Sequence, residues 1–351
     1  MNPATILEQQ SQLRGDQVAL VDCVNGRDRV FTFSELRQCV EAIAAQLDSA
    51  GLQKGDAVLM FHPVRIELYA VLLAIFRQGL VAVFVDPGQS REFVAACCKL
   101  VRTSAFFGSP KAHLLRALNP EIRKIENAFH CEGWVPFSQK LHLNTASSLK
   151  LKSPITDVDA PALITFTSGS TGQPKGISRS HGFLMAQHAI LEKTLSYEPR
   201  QIDLSTLPVF VLANLASGLT SVLADIPAGK PGAANGDVVV RQMTRWKVER
   251  TAASPAFFER LLECEHGLPE LKRIDTGGAP VFPRLMERLA GRFPNALIEA
   301  VYGSSEAEPI AHIAWNELQV NDIAAMREGR GLLAGRCAVS YTHLRAHETR
   351  E

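Results

Sequence analysis

The sequence predicts an α/β protein whose two lobes are each built on a helix-covered, mostly parallel sheet. Three observations carry that expectation. Apolar runs of strand length alternate with stretches of helical period almost throughout, the rhythm of β-α-β units. A polar, pattern-poor stretch at about residues 138–160 separates two such series. And 351 residues are enough to bury more than one core. The expected division is residues 1–150, a first lobe, and 151–337, a second, with 338–351 set apart.

In the first lobe Thr32 and Glu35 have capping-box spacing, and Leu36, Val40, Ile43 and Leu47 follow at helical steps until Gly51 ends the helix. DAVLMF (56–61) reads as a strand, ELYAVLLAIFRQ (67–78) as a helix, and LVAVFV (80–85) as a strand entering Asp86-Pro87-Gly88. The second series opens with ALITF (162–166), followed by a helix from His181 to Leu195. DLSTLPVF (203–210) reads as strand and turn, VVVRQMTRW (238–246) as a helix, and RTAAS (250–254) as a strand before a helix at Pro255. LKRIDT (271–276) leads into Gly277-Gly278, VFPRLMERLAGRF (281–293) is helical, and ALIEAV (296–301) runs into Tyr302-Gly303.

Composition excludes several classes of partner. With 46% hydrophobic and 21% charged residues and a net charge of +1, nothing points to nucleic acid. The longest apolar run, Leu68 to Phe76, is too short to span a bilayer, so only contact with a membrane surface stays open. The N-terminus lacks the basic and apolar segments of a signal peptide. Seven cysteines without a CxxC pair read as reduced thiols, which places the expectation in the cytoplasm.

The chemistry concentrates in Thr167-Ser168-Gly169-Ser170-Thr171-Gly172, followed by Gln173-Pro174-Lys175-Gly176. Glycines let backbone N–H groups converge on an anion, hydroxyls add neutral donors, and Lys175 adds a mobile positive charge. A Walker A loop needs Gly-Lys-Ser/Thr leading into a helix, and the proline before Lys175 and the glycine after it spoil that geometry. A plain surface loop is the bland alternative, disfavoured by ten residues in this order.

These residues resemble the signature of the adenylate-forming enzymes, the family of acyl-CoA synthetases, luciferases and peptide-synthetase adenylation domains. Two further motifs follow in the family's order. Thr276-Gly277-Gly278-Ala279-Pro280 is similar to the glycine pair lining the adenine and acyl pockets. Val301-Tyr302-Gly303-Ser304-Ser305-Glu306 is similar to Tyr-Gly-x-Thr-Glu, with Ser305 keeping the hydroxyl and losing a methyl. GLVAVFVDPG (79–88) also resembles the first lobe, so the likeness covers about residues 15 to 337.

The resemblance implies the fold of the family's large N-terminal domain, without its small lid domain. It implies ATP with magnesium, and Thr167, Lys175 and Glu306 as the catalytic residues. Thr167, Ser168, Gly169, Ser170, Thr171, Gly172 and Lys175 would hold the phosphates. Gly277, Gly278, Ala279, Pro280, Tyr302, Gly303 and Ser305 would hold the nucleoside. Tyr302 offers a face for adenine and Glu306 a hard oxygen ligand for magnesium. The carboxylate attacks the α-phosphorus and pyrophosphate leaves, so catalysis is alignment and charge neutralisation. Taken singly, a tyrosine is core, a glutamate surface and Gly-Gly a turn; the joint order carries the reading. No His or Cys spacing suits another metal site.

Within the family, the segment Leu207 to Asn214 lacks the aromatic-His pair of many acyl-CoA synthetases and is apolar, which assigns Phe210, Asn214 and Gly278 to the acyl pocket. A packed helix start explains the same run equally well. SSEAEPIA (304–311) and GLLAGR (331–336) resemble the subgroup that makes β-lactones in olefin biosynthesis. That implies adenylation of a long-chain 3-hydroxy fatty acid and attack of its own hydroxyl on the activated carbonyl. The alternatives are a long-chain fatty-acid–CoA ligase, which alone would need CoA, and a nucleotide-binding fragment of low activity.

The family's Thr-Gly-Asp motif, hinge and lid lysine have no match after Glu306, so these residues alone are expected to bind ATP weakly and turn over poorly. The tail SYTHLRAHETRE (340–351) resembles a translated adapter and is expected to be non-native. His181 is expected to start a helix, His312 to pack, and Glu308 to lie at the surface.

Overall fold

The computed structural model describes residues 2–86, 88–143, 157–168, 173–227, 230–264, 267–304 and 307–338. The chain forms two compact units, Met1–Ala186 with Val211–Leu223, and Gln187–Phe210 with Ala224–Glu351.

The first unit holds a seven-stranded sheet in the order Gln139–Lys140, Asn127–His130, Thr103–Gly108, Ala57–Phe61, Val81–Phe84, Pro161–Ser168, Pro174–Ser180. Its pairs are parallel except the last. Continuous apolar strands follow from burial on both faces. Val58, Met60, Ala82 and Phe107 enter one core, with the helices Phe33–Ser49 and Ile66–Gln78. Leu59, Val83 and Phe106 point the other way, against Val94, Cys97 and Ile122. The helix Ile66–Gln78 is apolar on every side and is buried from Ile66 to Arg77. The capping box forms as expected: Thr32 N–H donates to Glu35 Oε2 at 2.8 Å and Glu35 N–H to Thr32 Oγ1 at 3.2 Å. Leu36, Val40, Ile43 and Leu47 are all buried.

A second run in this unit places Val18–Val24 between Arg27–Thr32, antiparallel, and Thr220–Leu223, parallel. Arg29 grips the buried carboxylates of Asp22 and Glu67 there, with Nε on Asp22 Oδ1 at 2.8 Å and Nη2 on Glu67 Oε2 at 2.9 Å. Burial by itself would raise the Glu67 carboxyl, but the Arg29 hydrogen bond and charge hold it below the usual range.

In the second unit Ile202–Ser205, Arg250–Ala253, Arg273–Gly277 and Leu297–Tyr302 run parallel, followed by antiparallel Ala311–Ala314 and Arg336–Cys337. The helices Gly236–Arg245, Pro255–Leu261 and Pro283–Arg292 alternate with the parallel strands.

Three expectations need correction. The division near residue 150 does not match the contacts: Pro161–Ser168 pairs with Val81–Phe84 through Ala82 and Leu163, so the phosphate-loop strand completes the first sheet. Its apolar side chains Ile164 and Phe166 belong to that core, a nonlocal pairing that no local pattern announces. Residues 174–180, to which pattern gave no element, form a strand, because the edge of Pro161–Ser168 needs a partner for its backbone. And after the strand Ile202–Ser205 the chain enters a helix, Pro208–Ala216, with proline at its first position.

Candidate active site

In the first unit the two flanks of the glycine-rich motif pair as antiparallel strands. Pro161–Ser168 and Pro174–Ser180 pair in a register that sets Thr165 opposite Ile177, Phe166 opposite Gly176, Thr167 opposite Lys175 and Ser168 opposite Pro174. Because side chains alternate along a strand, Thr165, Thr167, Lys175 and Arg179 share one face. Thr167 is half-buried, Lys175 exposed and Arg179 buried. Arg179 donates to Thr165 Oγ1 at 3.1 Å. The paired strands therefore carry two cations and two hydroxyls on one side; Gly169, Ser170, Thr171 and Gly172 lie outside the described residues. Arg179 escaped sequence reasoning; its signal was the two-residue spacing of 175, 177 and 179, visible only once this stretch is a strand.

His181 begins the helix His181–Thr194 directly after Pro174–Ser180. Its backbone N–H donates to Ala160 O at 3.1 Å, and its fully buried ring stands edge-on to Phe76, 5.9 Å between centroids. Burial holds the imidazole below its usual pKa, so it stays neutral.

The second unit brings the other two motifs to the carboxyl ends of adjacent strands, where open α/β sheets bind ligands. Gly277 pairs with Val301, one residue before Tyr302. A Cβ at Gly277 would sit 2.4 Å from Val301 O, so only glycine allows the strands to meet there. Gly278 turns the chain at φ +74 with nothing near its open side, and Ala279 and Pro280 are exposed beside it. The Thr276 hydroxyl is buried without a hydrogen-bond partner among the described atoms, at the root of this turn. Tyr302 leaves more than half its surface in solvent, 55%.

Ser304 N–H donates to Ala307 O at 2.8 Å and Ile310 N–H to Tyr302 O at 2.8 Å. A Cβ at Gly303 would come within 3.0 Å of Glu308 Cγ. The peptide Glu308–Pro309 is cis, and Gln187 Nε2 donates to Glu308 O at 3.0 Å. Ser305 and Glu306 lie outside the described residues, as do 339–351 of the tail. Among the described residues no group of three or more His, Cys, Asp or Glu could hold a metal. Glu308 is half-buried.

Phe210 and Asn214 are both buried, in the helix Pro208–Ala216. Asn214 Nδ2 donates to Ser221 Oγ at 3.0 Å.

Sequence reasoning missed a buried ladder of charge across the second unit's sheet. Arg250 Nε lies 3.3 Å from Asp203 Oδ2, and its Nη2 donates to Asp275 Oδ2 at 3.2 Å. Arg273 Nε donates to Asp275 Oδ1 at 3.0 Å, and its Nη2 to Glu299. Glu299 Oε1 meets His312 Nδ1 at 2.5 Å, so His312 is tied to the ladder. Both arginines also reach the end of the helix His181–Thr194, Arg250 at Leu195 O (3.0 Å) and Arg273 at Thr194 O (3.2 Å). They satisfy carbonyls left open at that terminus and face its negative pole. The ladder fixes the register of the strands that end in Gly277 and Tyr302.

A family description, AMP-binding enzyme, matches residues 7–336. The chain is a member of the AMP-binding enzyme family. An olefin β-lactone synthetase of Xanthomonas campestris pv. campestris is 32% identical over 95% of this chain and 62% of its own length. The protein of that name from Stenotrophomonas maltophilia is 30% identical over the same shares. This AMP-binding chain thus spans 62% of those two relatives. Among solved structures, the N-terminal domain of FACL13 from Mycobacterium tuberculosis superposes with a TM-score of 0.78 at 19% identity, over 96% of this chain and 82% of that one. That likeness shows the fold of an N-terminal domain of adenylate-forming enzymes. Among the described residues no helix is long and apolar enough to cross a membrane.

Proposed function

We propose that this protein activates a long-chain carboxylic acid with ATP, forming an acyl adenylate and releasing pyrophosphate. The observation that carries the reading is the strand register, which sets Lys175 directly opposite Thr167 on the two flanks of the glycine-rich sequence. A cation and a hydroxyl so placed, backed by Arg179, form a cradle for a triphosphate. Gly277 to Pro280 offer a bare turn, and the exposed Tyr302 ring a stacking face for adenine. The unpartnered Thr276 hydroxyl fits a nucleoside hydrogen bond at the same turn.

Lys175 stabilises charge developing on the phosphates, and Thr167 orients them. Glu306 would hold magnesium, which when bound with the nucleotide neutralises charge between phosphates. Phe210, Asn214 and Gly278 would line the acyl site.

The finer reading is a 3-hydroxy fatty acid whose own hydroxyl attacks the activated carbonyl, closes a β-lactone and expels AMP. The two olefin β-lactone synthetases at 32% and 30% identity support it. An internal nucleophile has a high effective concentration, so no thiol acceptor is needed. The test is incubation of the protein, extended to the full length of those relatives, with ATP, magnesium and a 3-hydroxy fatty acid, without CoA. AMP, pyrophosphate and lactone are expected; an absolute requirement for CoA turns the reading to a fatty-acid–CoA ligase.

A further inference from the structure

Far along the chain from the nucleotide motifs, the first unit displays apolar side chains that its own cores do not use. The helix Pro110–Leu118 buries Ala112 and His113 and leaves Leu114 67% and Leu118 58% exposed, one turn apart on its outer side, with Lys111 beside them. The loop after the strand Asn127–His130 runs along this helix. A Cβ at Gly133 would lie 3.8 Å from Pro110 Cγ, and Arg116 Nη1 donates to Phe137 O at 3.3 Å. On that loop Trp134 is 83% and Phe137 91% exposed.

The loop is built rather than slack. Ser138 Oγ donates to Ala128 O at 3.1 Å and meets His130 Nδ1 at 2.9 Å, which closes its base. Phe137 holds φ +55, a left-handed conformation that a bulky side chain rarely adopts. A strained backbone that delivers an aromatic ring into water has no return within the fold. Charge favours the same stretch of chain: Lys111 on the helix and Lys140 just past the loop are both exposed. Residues 91–143 carry eight Lys or Arg against four Glu and no Asp, an excess of four positive charges in a chain whose total is +1.

We propose that this face docks the protein on an anionic lipid bilayer surface, with Trp134, Phe137, Leu114 and Leu118 entering the headgroup boundary. Aromatic rings with one polar edge settle at that depth, leucines reach the acyl chains, and Lys111 and Lys140 meet anionic headgroups. The excess of basic side chains favours such a surface over a second copy of this chain, whose identical patch would repel it.

The test is co-sedimentation of the 351-residue chain with vesicles of phosphatidylcholine alone and with phosphatidylglycerol added at roughly 3:1. Trp134 serves as an optical reporter after Trp246→Phe and Trp315→Phe, both half-buried positions. Binding to the anionic vesicles is expected, with a blue shift of Trp134 emission. Salt and Phe137→Ser with Leu114→Ser should each weaken binding by about tenfold or more. Val320→Ser, at an exposed apolar residue of the other unit, should leave binding unchanged. Equal binding to neutral vesicles, binding indifferent to the double substitution, or no vesicle binding with self-association through the patch each overturns the proposal. All the substituted patch residues are exposed, so an unchanged urea midpoint verifies folding.

Discussion

Replacing Arg250 by methionine tests whether the charge ladder holds the second unit together. The guanidinium is 1% exposed and contacts Asp203, Asp275, Gln201 Oε1 (3.0 Å) and Leu195 O, with Tyr197 4.5 Å below it. Methionine keeps much of the packing and removes every donor. Asp203 loses its guanidinium, and Asp275 retains only Arg273. Removing one partner from a buried pair costs about 3–5 kcal/mol, since the remaining charge stays uncompensated. Against a typical domain stability of about 5–15 kcal/mol, that is a large fraction. With a urea slope of about 2 kcal/mol/M, the midpoint of this unit should fall by about 1.5–2.5 M. Trp246 and Trp315 report on this unit by fluorescence. Adding Asp203→Leu to Arg250→Met should recover part of the loss, because the stranded carboxylate goes with it. A single variant within about 1 kcal/mol of wild type, or a double variant worse than the single by its full additive cost, refutes the reasoning.

Three further outcomes follow from the same geometry. Lys175→Ala removes an exposed cation, so the urea midpoint should stay fixed while affinity for ATP, read by calorimetric titration, falls by about 10–100-fold, the worth of one charged hydrogen bond. Gly277→Ala forces a Cβ to within 2.4 Å of Val301 O and should cost about 1–3 kcal/mol with loss of nucleotide binding. Gly278→Ala meets open space and should cost only about 1 kcal/mol of left-handed strain. Chemical denaturation compares the two. On the acid side, Arg29 holds Glu67 below the usual carboxylate range, so its contribution is fully present above the unfolded carboxylate range and is lost as pH falls through the lower folded value. Glu67→Gln should flatten that part of a stability–pH curve. A curve as steep as wild type contradicts the Arg29–Glu67 pairing.

Local signals proved legible where they were complete within a few residues. The capping box at Thr32 and Glu35, the helix from His181, and the strands ending in Gly277 and Tyr302 all lie where pattern placed them. The helix at Pro208 was half visible, since an apolar run with proline at its start fits a turn or a helix equally. What stayed hidden was nonlocal. The strand Pro161–Ser168 returns to the first sheet across a polar connection, so the lobe boundary read from composition fell in the wrong place. Arg250, Arg273, Asp275 and Glu299 sit in strands as isolated charges, and each looks like a solvated position until the register stacks them side by side. Arg179 was hidden for a similar reason: its spacing from Lys175 has meaning only in a strand.

The proposed grip of a nucleotide's phosphates by Thr167 and Lys175 is tested most directly by isotope exchange. Labelled pyrophosphate, unlabelled ATP, magnesium and a long-chain 3-hydroxy fatty acid are incubated with the protein extended to the full length of its β-lactone synthetase relatives. The account expects label to enter ATP only when the acid is present, and Lys175→Ala to abolish that exchange. Exchange without the acid, or conversion of ATP to ADP instead, contradicts it.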